Sequence, residues 1–391
     1  MHICFVEIGY PRPTTGVVGG AGTYVKLIAT QLVQKGYKIS IICGRVKNNS
    51  TYYNDGDINV YPVIEYGPLH YYISKIPILN IFSKLVRYLE TGFKIYRMLC
   101  IINYKNKIDL VEYSEGGDFW NRYTKKFKYI SHLHGSAYTF KNNSGQNVDL
   151  SDWLHRIAEH YFIKNSKEVI SPSNAMVELV ESEIGKVFQN VNVIPYPIDE
   201  YQIVKSQNKK SPGEKYQVNL FFAARNDPVK GGEILINALK RLPDILISQI
   251  KVDFYGFKPK QDTSKLKFLN IKEFVPKKVL DNAYNKADIC VIPSIFDNSP
   301  NTVYEAMAYG KIVVASKVGG IPEIINSVDN GLLFDPQNIN DLVHTLIKAI
   351  ELVLSGESEK MRMNAQKRIS SFANLKENMN RRLALIDKHF I

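Results

Sequence analysis

Short apolar runs alternate with helical patterns along nearly the whole chain, and this alternation restricts the fold more than any other feature. Residues 2–8 form a β-rich run, and residues 21–34 carry apolar side chains at helical spacing before Gly36. Further apolar runs follow at 38–42, 108–113, 129–134, 168–171 and 191–194. The connections are long enough for crossover helices, so the pattern predicts parallel strands.

The alternation stops near residue 200 and restarts at 218. Residues 205–215 are polar and basic and contain Pro and Gly, which indicates a domain boundary. Strands are then predicted at 218–224, 252–255, 272–275, 289–292 and 312–315, with helices at 232–241, 302–309, 339–354 and 357–387. The 391 residues exceed what one core usually serves. We predict an α/β chain with Rossmann-like domains at 1–200 and 201–370 facing a central cleft, and a helix at 371–391 that can pack back on the first domain.

Composition limits the classes of molecule that this protein could bind and the cellular compartment in which it could reside. The net charge of +12 favours anionic partners such as phosphates, nucleic acid or a membrane surface, although solvated lysines explain it equally well. The four cysteines form no CxxC pair and are predicted to be buried thiols. The sequence starts without a signal-peptide pattern and contains no run of about 18 apolar residues, so a cytoplasmic protein is expected.

A glycine loop follows the first predicted strand. It reads Gly19-Gly20-Ala21-Gly22-Thr23, and glycines at a helix start let an anion approach the backbone N–H groups. A dinucleotide fingerprint would need a third glycine where Val25 stands, so a dehydrogenase is disfavoured. Gly20 and Gly22 therefore either contact an anionic ligand or simply turn the chain.

Charged residues follow two of the strands predicted in the second half. Arg225 and Lys230 flank a short loop after the strand at 218–224, where two cations could hold a diphosphate without a metal. Asp297 follows the strand at 289–292, and Glu305 lies on the next helix, where a carboxylate can bind a ribose diol. Asn301 or Thr302 is predicted to cap that helix.

The stretch from 293 to 325 resembles the donor-binding signature of family 4 of the retaining glycosyltransferases, which have the GT-B fold. EAMAYG, VVAS and GGIPE carry the resemblance, and SPSN at 171–174, VIPYPID at 193–199 and NGLLFDP at 330–336 fit the same family. It implies these donor contacts: Arg225 and Lys230 with the diphosphate, Asp297 with the sugar hydroxyls, Glu305 with the ribose, and backbone N–H groups of Asn301, Thr302 and Val303 with the sugar or phosphates.

One residue departs from the family pattern. The first acid of the family's E-x7-E motif is Asp297 here, whose side chain is one methylene shorter. Either the loop moves inward or the contact with the sugar changes. The resemblance further implies a metal-independent, cofactor-free hexosyltransferase that acts with retention on a nucleotide-diphosphate sugar and a saccharide or lipid-linked acceptor. The composition favours bacterial surface-polysaccharide or glycoconjugate assembly.

Two histidines end the strand predicted at 129–134. His132 and His134 project to one face of a strand, but no third ligand for zinc stands nearby in the sequence. The resemblance implies that His134 lies near the sugar and orients or stabilises rather than attacks, while His132 has a structural role.

Residues 68–107 form a basic amphipathic segment with seven Lys and Arg residues and one acid, Glu90. Lys84, Arg87, Thr91 and Lys94 share one helical face. The segment either contacts an anionic membrane or is a crossover helix with a solvated basic face, and the second interpretation is favoured.

Two other functions compete with sugar transfer. A sugar-nucleotide epimerase can share the architecture, but no pair of carboxylates is evident in the first half. A basic nucleic-acid-binding protein is disfavoured because no RNA- or DNA-binding signature occurs and the basic residues are dispersed.

Overall fold

The computed structural model describes residues 1–11, 19–44, 52–65, 67–115, 117, 119–198 and 218–390. The predicted boundary at 200 and the polar segment at 205–215 lie outside these ranges. Two compact units are present: unit 1 comprises Met1–Ile194 with Met379–Ile391, and unit 2 comprises Pro195–Asn378. Within the described ranges, no helix is long and apolar enough to cross a lipid bilayer.

Unit 1 is built on an eight-stranded sheet of order β3-β4-β2-β1-β5-β6-β7-β8. Its strands are β1 (His2–Val6), β2 (Lys38–Gly44), β3 (Tyr53–Asp55), β4 (Ile58–Val63), β5 (Leu110–Ser114), β6 (Tyr129–His132), β7 (Val169–Ser171) and β8 (Val191–Val193). Only β3 pairs in the antiparallel direction among these strands. The central strands are buried on both faces, as parallel strands covered by helices require.

Seven helices of unit 1 connect these strands in the described ranges. They are α1 (Gly20–Gln34), α2 (Pro68–Lys75), α3 (Ser83–Lys105), α4 (Phe119–Thr124), α5 (Ala137–Asn143), α6 (Leu150–Lys164) and α7 (Asn174–Ile184). Side-chain caps fix several of their starts. Ser173 accepts a hydrogen bond from the N–H of Met176, and Asp149 and Asp152 form a reciprocal capping box.

Unit 2 has a six-stranded parallel sheet of order β11-β10-β9-β12-β13-β14. Its strands are β9 (Val218–Ala223), β10 (Ile250–Tyr255), β11 (Leu269–Lys272), β12 (Ile289–Ile292), β13 (Ile312–Ser316) and β14 (Leu332–Phe334). The helices are α8 (Gly232–Leu239), α9 (Asp244–Ile247), α10 (Lys277–Lys286), α11 (Asn301–Ala308), α12 (Ile321–Ile324), α13 (Ile339–Leu354) and α14 (Glu359–Phe372). The strand order is that of a Rossmann-type sheet, so the predicted α/β class is confirmed.

The last helix, α15 (Leu375–Phe390), continues from unit 2 into unit 1. The predicted single helix at 357–387 is wrong, because helix α14 ends at Phe372 and a separate helix, α15, begins at Leu375. Asn374 forms an isolated β-bridge with Ile198, and its side chain accepts a hydrogen bond from the N–H of Glu377. A side-chain cap at Asn374 therefore starts a second helix.

Three of the four cysteines, Cys4, Cys43 and Cys290, are buried, and all four are free thiols. Cys100 is half-buried, so the prediction of buried thiols is confirmed for the other three. Burial raises the pKa of Cys290 to about 12, which keeps this thiol protonated.

Candidate active site

The order of the strands in unit 2 brings two loops together. The connections leave β9 and β12 in opposite directions along the sheet, and a crevice is expected where the carboxyl ends of such strands adjoin. Arg225 and Lys230 follow β9, and Ser294 and Asp297 follow β12. Lys230 and Asp297, which are 67 positions apart in the sequence, therefore lie at one edge of the sheet of unit 2.

Lys230 and Asp297 form an ion pair at this edge. Lys230 ends a 3₁₀ turn, Pro228–Lys230, that starts when Asp227 accepts a hydrogen bond from the N–H of Val229. The Lys230 Nζ lies 2.6 Å from Asp297 Oδ2, to which the hydroxyl of Ser294 also donates at 3.2 Å. The lysine side chain is 24% exposed and the aspartate only 8%. The cation is thus anchored by a buried acid and still open to an anion.

A glycine turn holds the backbone beside Asp297. Gly319 has φ of 48°, and a Cβ placed there would lie 1.8 Å from the carbonyl oxygen of Asp297. The N–H of Gly320 donates to the carbonyl of Asn298 at 2.9 Å. The GGIPE segment therefore supports the loop of the first acid, and no residue larger than glycine fits at 319 without moving that loop.

Glu305 on α11 is held by two residues of α10. Tyr284 donates its hydroxyl to Glu305 Oε2 at 2.9 Å, and Lys277 Nζ lies 3.3 Å from Oε1. Burial and then the charge of Glu305 raise the pKa of Tyr284 well above its ordinary value, so the hydroxyl stays protonated and donates. Sequence spacing did not reveal these partners, because the contact depends on how α10 and α11 pack.

The start of α11 shows that the predicted helix cap is wrong. Its N-cap is Pro300, which offers no side-chain hydrogen bond, so neither Asn301 nor Thr302 caps the helix. The N–H of Val303 donates to the carbonyl of Pro300 at 3.0 Å and is already used. Asn301 and Thr302 occupy the first turn, where N–H groups lack intrahelical acceptors.

Arg225 stands apart from the other predicted cation. Its side chain is exposed just beyond β9 and makes no hydrogen bond or ion pair with the other candidate residues that the structure describes. The two cations thus share a strand end but are not in contact.

Gly20 and Gly22 of the glycine loop in unit 1 have different surroundings. Gly20 is exposed and begins α1 after Gly19. Gly22 is buried, and a Cβ there would lie 2.1 Å from the carbonyl oxygen of Gly9. Gly22 therefore allows α1 to pack closely on the loop after β1.

His132 and His134 stack on each other with ring centroids 4.1 Å apart. The ring of Tyr24 on α1 meets both edge-on, at 4.9 and 5.8 Å. Glu112 on β5 lies 3.0 Å from His132 Nδ1, and because an ionised carboxylate only accepts, this nitrogen is the donor. Arg382 of α15 binds both oxygens of Glu112 and donates to the Tyr24 hydroxyl at 3.2 Å.

The buried charges of this group set the protonation of the histidines. Burial alone would raise the pKa of Glu112, but the charge of Arg382 and the hydrogen bond from His132 lower it to about 2. Burial, together with His132 and Arg382, lowers the pKa of His134 well below its ordinary value. His134 is therefore neutral at physiological pH.

Buried carboxyl groups gather at the carboxyl ends of β1 and β5. Glu7 accepts hydrogen bonds from the N–H of Gly9 and the hydroxyl of Ser114, and Glu115 accepts from the N–H of Gly135. Burial and then the charge of Glu159 raise the pKa of Glu115 well above its ordinary value. The expectation that the first half lacks neighbouring carboxylates is wrong, because the sheet brings together acids that are distant in sequence. Among the described residues, no group of three or more His, Cys, Asp or Glu could hold a metal ion.

Two family models match the chain along most of its length. The model described as "Glycosyltransferase Family 4" matches residues 18–201, and the one described as "Glycosyl transferases group 1" matches residues 204–368. An uncharacterized glycosyltransferase of Methanocaldococcus jannaschii is 24% identical over 368 residues, with 86% of each chain covered.

Solved glycosyltransferase structures have the same fold. Sucrose-phosphate synthase of Thermosynechococcus elongatus superposes with a TM-score of 0.77 at 19% identity and covers 100% of this chain and 99% of its own. HepE of Anabaena, solved in complex with UDP-glucose, has a TM-score of 0.66 at 17% identity, covering 99% of this chain and 100% of its own.

Proposed function

This chain belongs to the GT-B glycosyltransferases of family 4 and the group 1 type, and we propose that it transfers a sugar from a nucleotide-diphosphate sugar to an acceptor hydroxyl with retention of configuration. The observation that carries the donor assignment is the Lys230–Asp297 pair at the adjoining ends of β9 and β12. HepE, which shares the fold, was solved with UDP-glucose, and this supports a nucleotide-sugar donor.

The chemistry we assign to unit 2 is charge neutralisation on the leaving phosphate. Lys230 is positioned by Asp297 before a ligand arrives, so little reorganisation is needed to meet the diphosphate charge. Arg225, exposed at the same strand end, supplies the second cation, and Glu305 accepts from the ribose hydroxyls. These cations take the place of a metal ion in the proposal, and the rate should survive an excess of EDTA.

Asp297 acts on both the cation and the sugar in this proposal. One of its carboxylate oxygens is already used by Lys230 and Ser294, so the remaining oxygen is the acceptor for a sugar hydroxyl. In unit 1, the neutral His134 orients a hydroxyl by a hydrogen bond and does not attack the sugar.

Buried carboxyl groups suit a saccharide acceptor. Glu7 and Glu115 lie at the carboxyl ends of neighbouring strands, where ligands of such sheets bind, and carboxyl groups are good partners for sugar hydroxyls. We propose a saccharide or lipid-linked acceptor of bacterial surface-polysaccharide or glycoconjugate assembly.

Donor binding is tested by thermal shift with UDP-, GDP-, dTDP- and ADP-sugars, because a ligand of the native state raises the unfolding temperature. Lys230→Met should weaken binding of the best donor at least about tenfold, since a charge-assisted contact is worth about 1.5–3 kcal/mol. Lys240→Met is the matched control, because Lys240 lies beyond the other end of α8 and binds Gln261. Equal donor affinity in both variants would show that Lys230 does not bind the donor and would refute the assigned donor site.

Retention is tested by NMR during slow donor hydrolysis. The first sugar released from an α-linked donor should be the α-anomer, before mutarotation, and a β-anomer released first would contradict retention. The same spectra test the epimerase alternative, which the buried Glu7 and Glu115 now favour more than the sequence did. If the nucleotide sugar stays intact and its sugar changes configuration without any acceptor, the enzyme is an epimerase and the proposed sugar transfer is wrong.

A further inference from the structure

An acid-free apolar segment is exposed on unit 1. Residues 67–89 contain no Asp or Glu, and α2 within them buries none of its residues. Every residue from 75 to 82 is exposed, and Ile78 is 81% exposed. The large apolar side chains at the surface include Tyr71, Tyr72, Ile76, Ile78 and Ile81. Ordinary folding leaves single apolar residues exposed, but a contiguous set marks a contact surface.

A stripe on α6 extends this surface. Leu150, Trp153, Ile157 and Tyr161 are spaced three or four residues apart, share one helical face and are all exposed. The helix packs against the 3₁₀ turn Asn80–Phe82, so the stripe adjoins the exposed segment. We call the segment from residue 71 to residue 82 and the stripe on α6 together the apolar face. A sequence pattern over 68–107 alone could not include the residues of α6.

The cations that sequence analysis assigned to α3 do not form this face. Lys84 pairs with Asp149 and Asp152, at 2.9 and 2.6 Å, and Arg87 lies 3.6 Å from Glu65. Lys94 donates to the carbonyl of Ile64. These side chains hold neighbouring elements of unit 1, so the predicted basic face is not a free cationic surface.

Charge nevertheless favours an anionic partner. Lys84 and Lys141 neutralise the acids at the start of α6, and Glu159 farther along the helix is buried. On the exposed segment, Lys75 remains beside the ring of Tyr71, 5.6 Å from its centroid. The face thus combines protruding isoleucines, rings of Tyr and Trp, and a cation. This composition suits the interface of a lipid bilayer, where aromatic rings sit at the headgroups and aliphatic chains enter the boundary.

We infer that the apolar face docks unit 1 on an anionic lipid bilayer, with isoleucines of the exposed segment entering the interface. Binding to vesicles needs neither donor nor acceptor, so the inference stands or falls separately from the proposed transfer reaction. A basic side chain near an anionic surface adds electrostatic attraction, and buried aliphatic side chains contribute the larger part of the binding.

The test is flotation with vesicles of equimolar phosphatidylglycerol and phosphatidylcholine, compared with phosphatidylcholine alone. The protein should float with the anionic vesicles, and Ile76→Ser with Ile78→Ser should lower its partition coefficient by about tenfold or more. Ile245→Ser, which changes an isoleucine of unit 2 that is 72% exposed, is the matched control and should bind like the wild type.

Tryptophan fluorescence tests whether α6 takes part. The chain has two tryptophans: Trp153 is exposed on the stripe, and Trp120 donates its indole N–H to Leu89 at 2.9 Å. Anionic vesicles should shift the emission to the blue in the wild type and not in Trp153→Phe. Absence of flotation with both vesicle types would overturn the inference. So would a wild-type dimer that the isoleucine changes dissociate, since a second copy would then cover the face.

Discussion

Replacing Arg382 by methionine should destabilise unit 1 by several kcal/mol at neutral pH. Arg382 is only 1% exposed and binds both oxygens of Glu112, which is also buried. Methionine fills much of the space but leaves the carboxylate with the hydrogen bond from His132 alone. Burial then disfavours the charge that Arg382 had compensated.

The size of the loss follows from the pKa of Glu112. The folded protein lowers this pKa from 4.5 to about 2, against the effect of burial. A shift of this size corresponds to about 3 kcal/mol, and breaking one side of a buried pair costs about 3–5 kcal/mol. For a unit of this size the unfolding temperature should fall by roughly 6–20 °C. Because the folded pKa is the lower one, the stabilisation is present above pH 4.5 and is lost as the pH falls toward 2.

Urea unfolding followed by tryptophan fluorescence isolates unit 1, because both tryptophans, Trp120 and Trp153, belong to it. Arg381→Met is the matched control: the side chain is exposed, and its change should cost no more than about 0.5 kcal/mol. Adding Glu112→Gln to Arg382→Met should recover most of the loss. A loss below about 1 kcal/mol, or one that the double variant does not reduce, would refute the reasoning.

Two substitutions in unit 2 test the residues that position Glu305 and Asp297. Tyr284→Phe removes the hydroxyl that donates to Glu305, and calorimetric titration should find donor affinity lowered about three- to tenfold; unchanged affinity would exclude this positioning role. Gly319→Ala should destabilise unit 2 by about 2–4 kcal/mol in scanning calorimetry, because the new Cβ meets the carbonyl of Asp297. Gly356→Ala, at another left-handed position with open space around it, should cost only about 1 kcal/mol, and equal losses would show that the clash does not matter.

Most of the fold could be predicted because its central strands are continuous apolar runs. The strand at 289–292 and the helix at 339–354 have the predicted bounds. β4 was missed, since Pro62 argues against an inner strand, although the Gly56-Asp57 turn before it signals a hairpin. β11 was predicted three residues late, because it is an edge strand with exposed side chains, and the apolar residues that follow it mimic its pattern.

The candidate site was predictable where one rule of parallel sheets applies. Lys230 and Asp297 were placed at strand ends, and the strand order brings those ends together. The pairing of Glu112 with Arg382 was not predictable, because 270 residues separate them. A glutamate inside an apolar strand indicates that some partner exists, but only tertiary packing selects which one.

Because the end of α15 belongs to unit 1, unit 1 is completed only after all of unit 2 has been translated. Unit 1 is interrupted by the residues from 195 to 378, and Glu112 has no arginine to meet until Arg382 has been translated. At about 5–20 residues per second, a ribosome needs roughly 10–40 s for the intervening stretch. During that interval the nascent sheet carries an uncompensated acid and an uncovered surface beside Tyr24. Chains cut short before Arg382 therefore keep a buried acid without its arginine, and we expect their unit 1 to be less stable than that of chains that include Arg382.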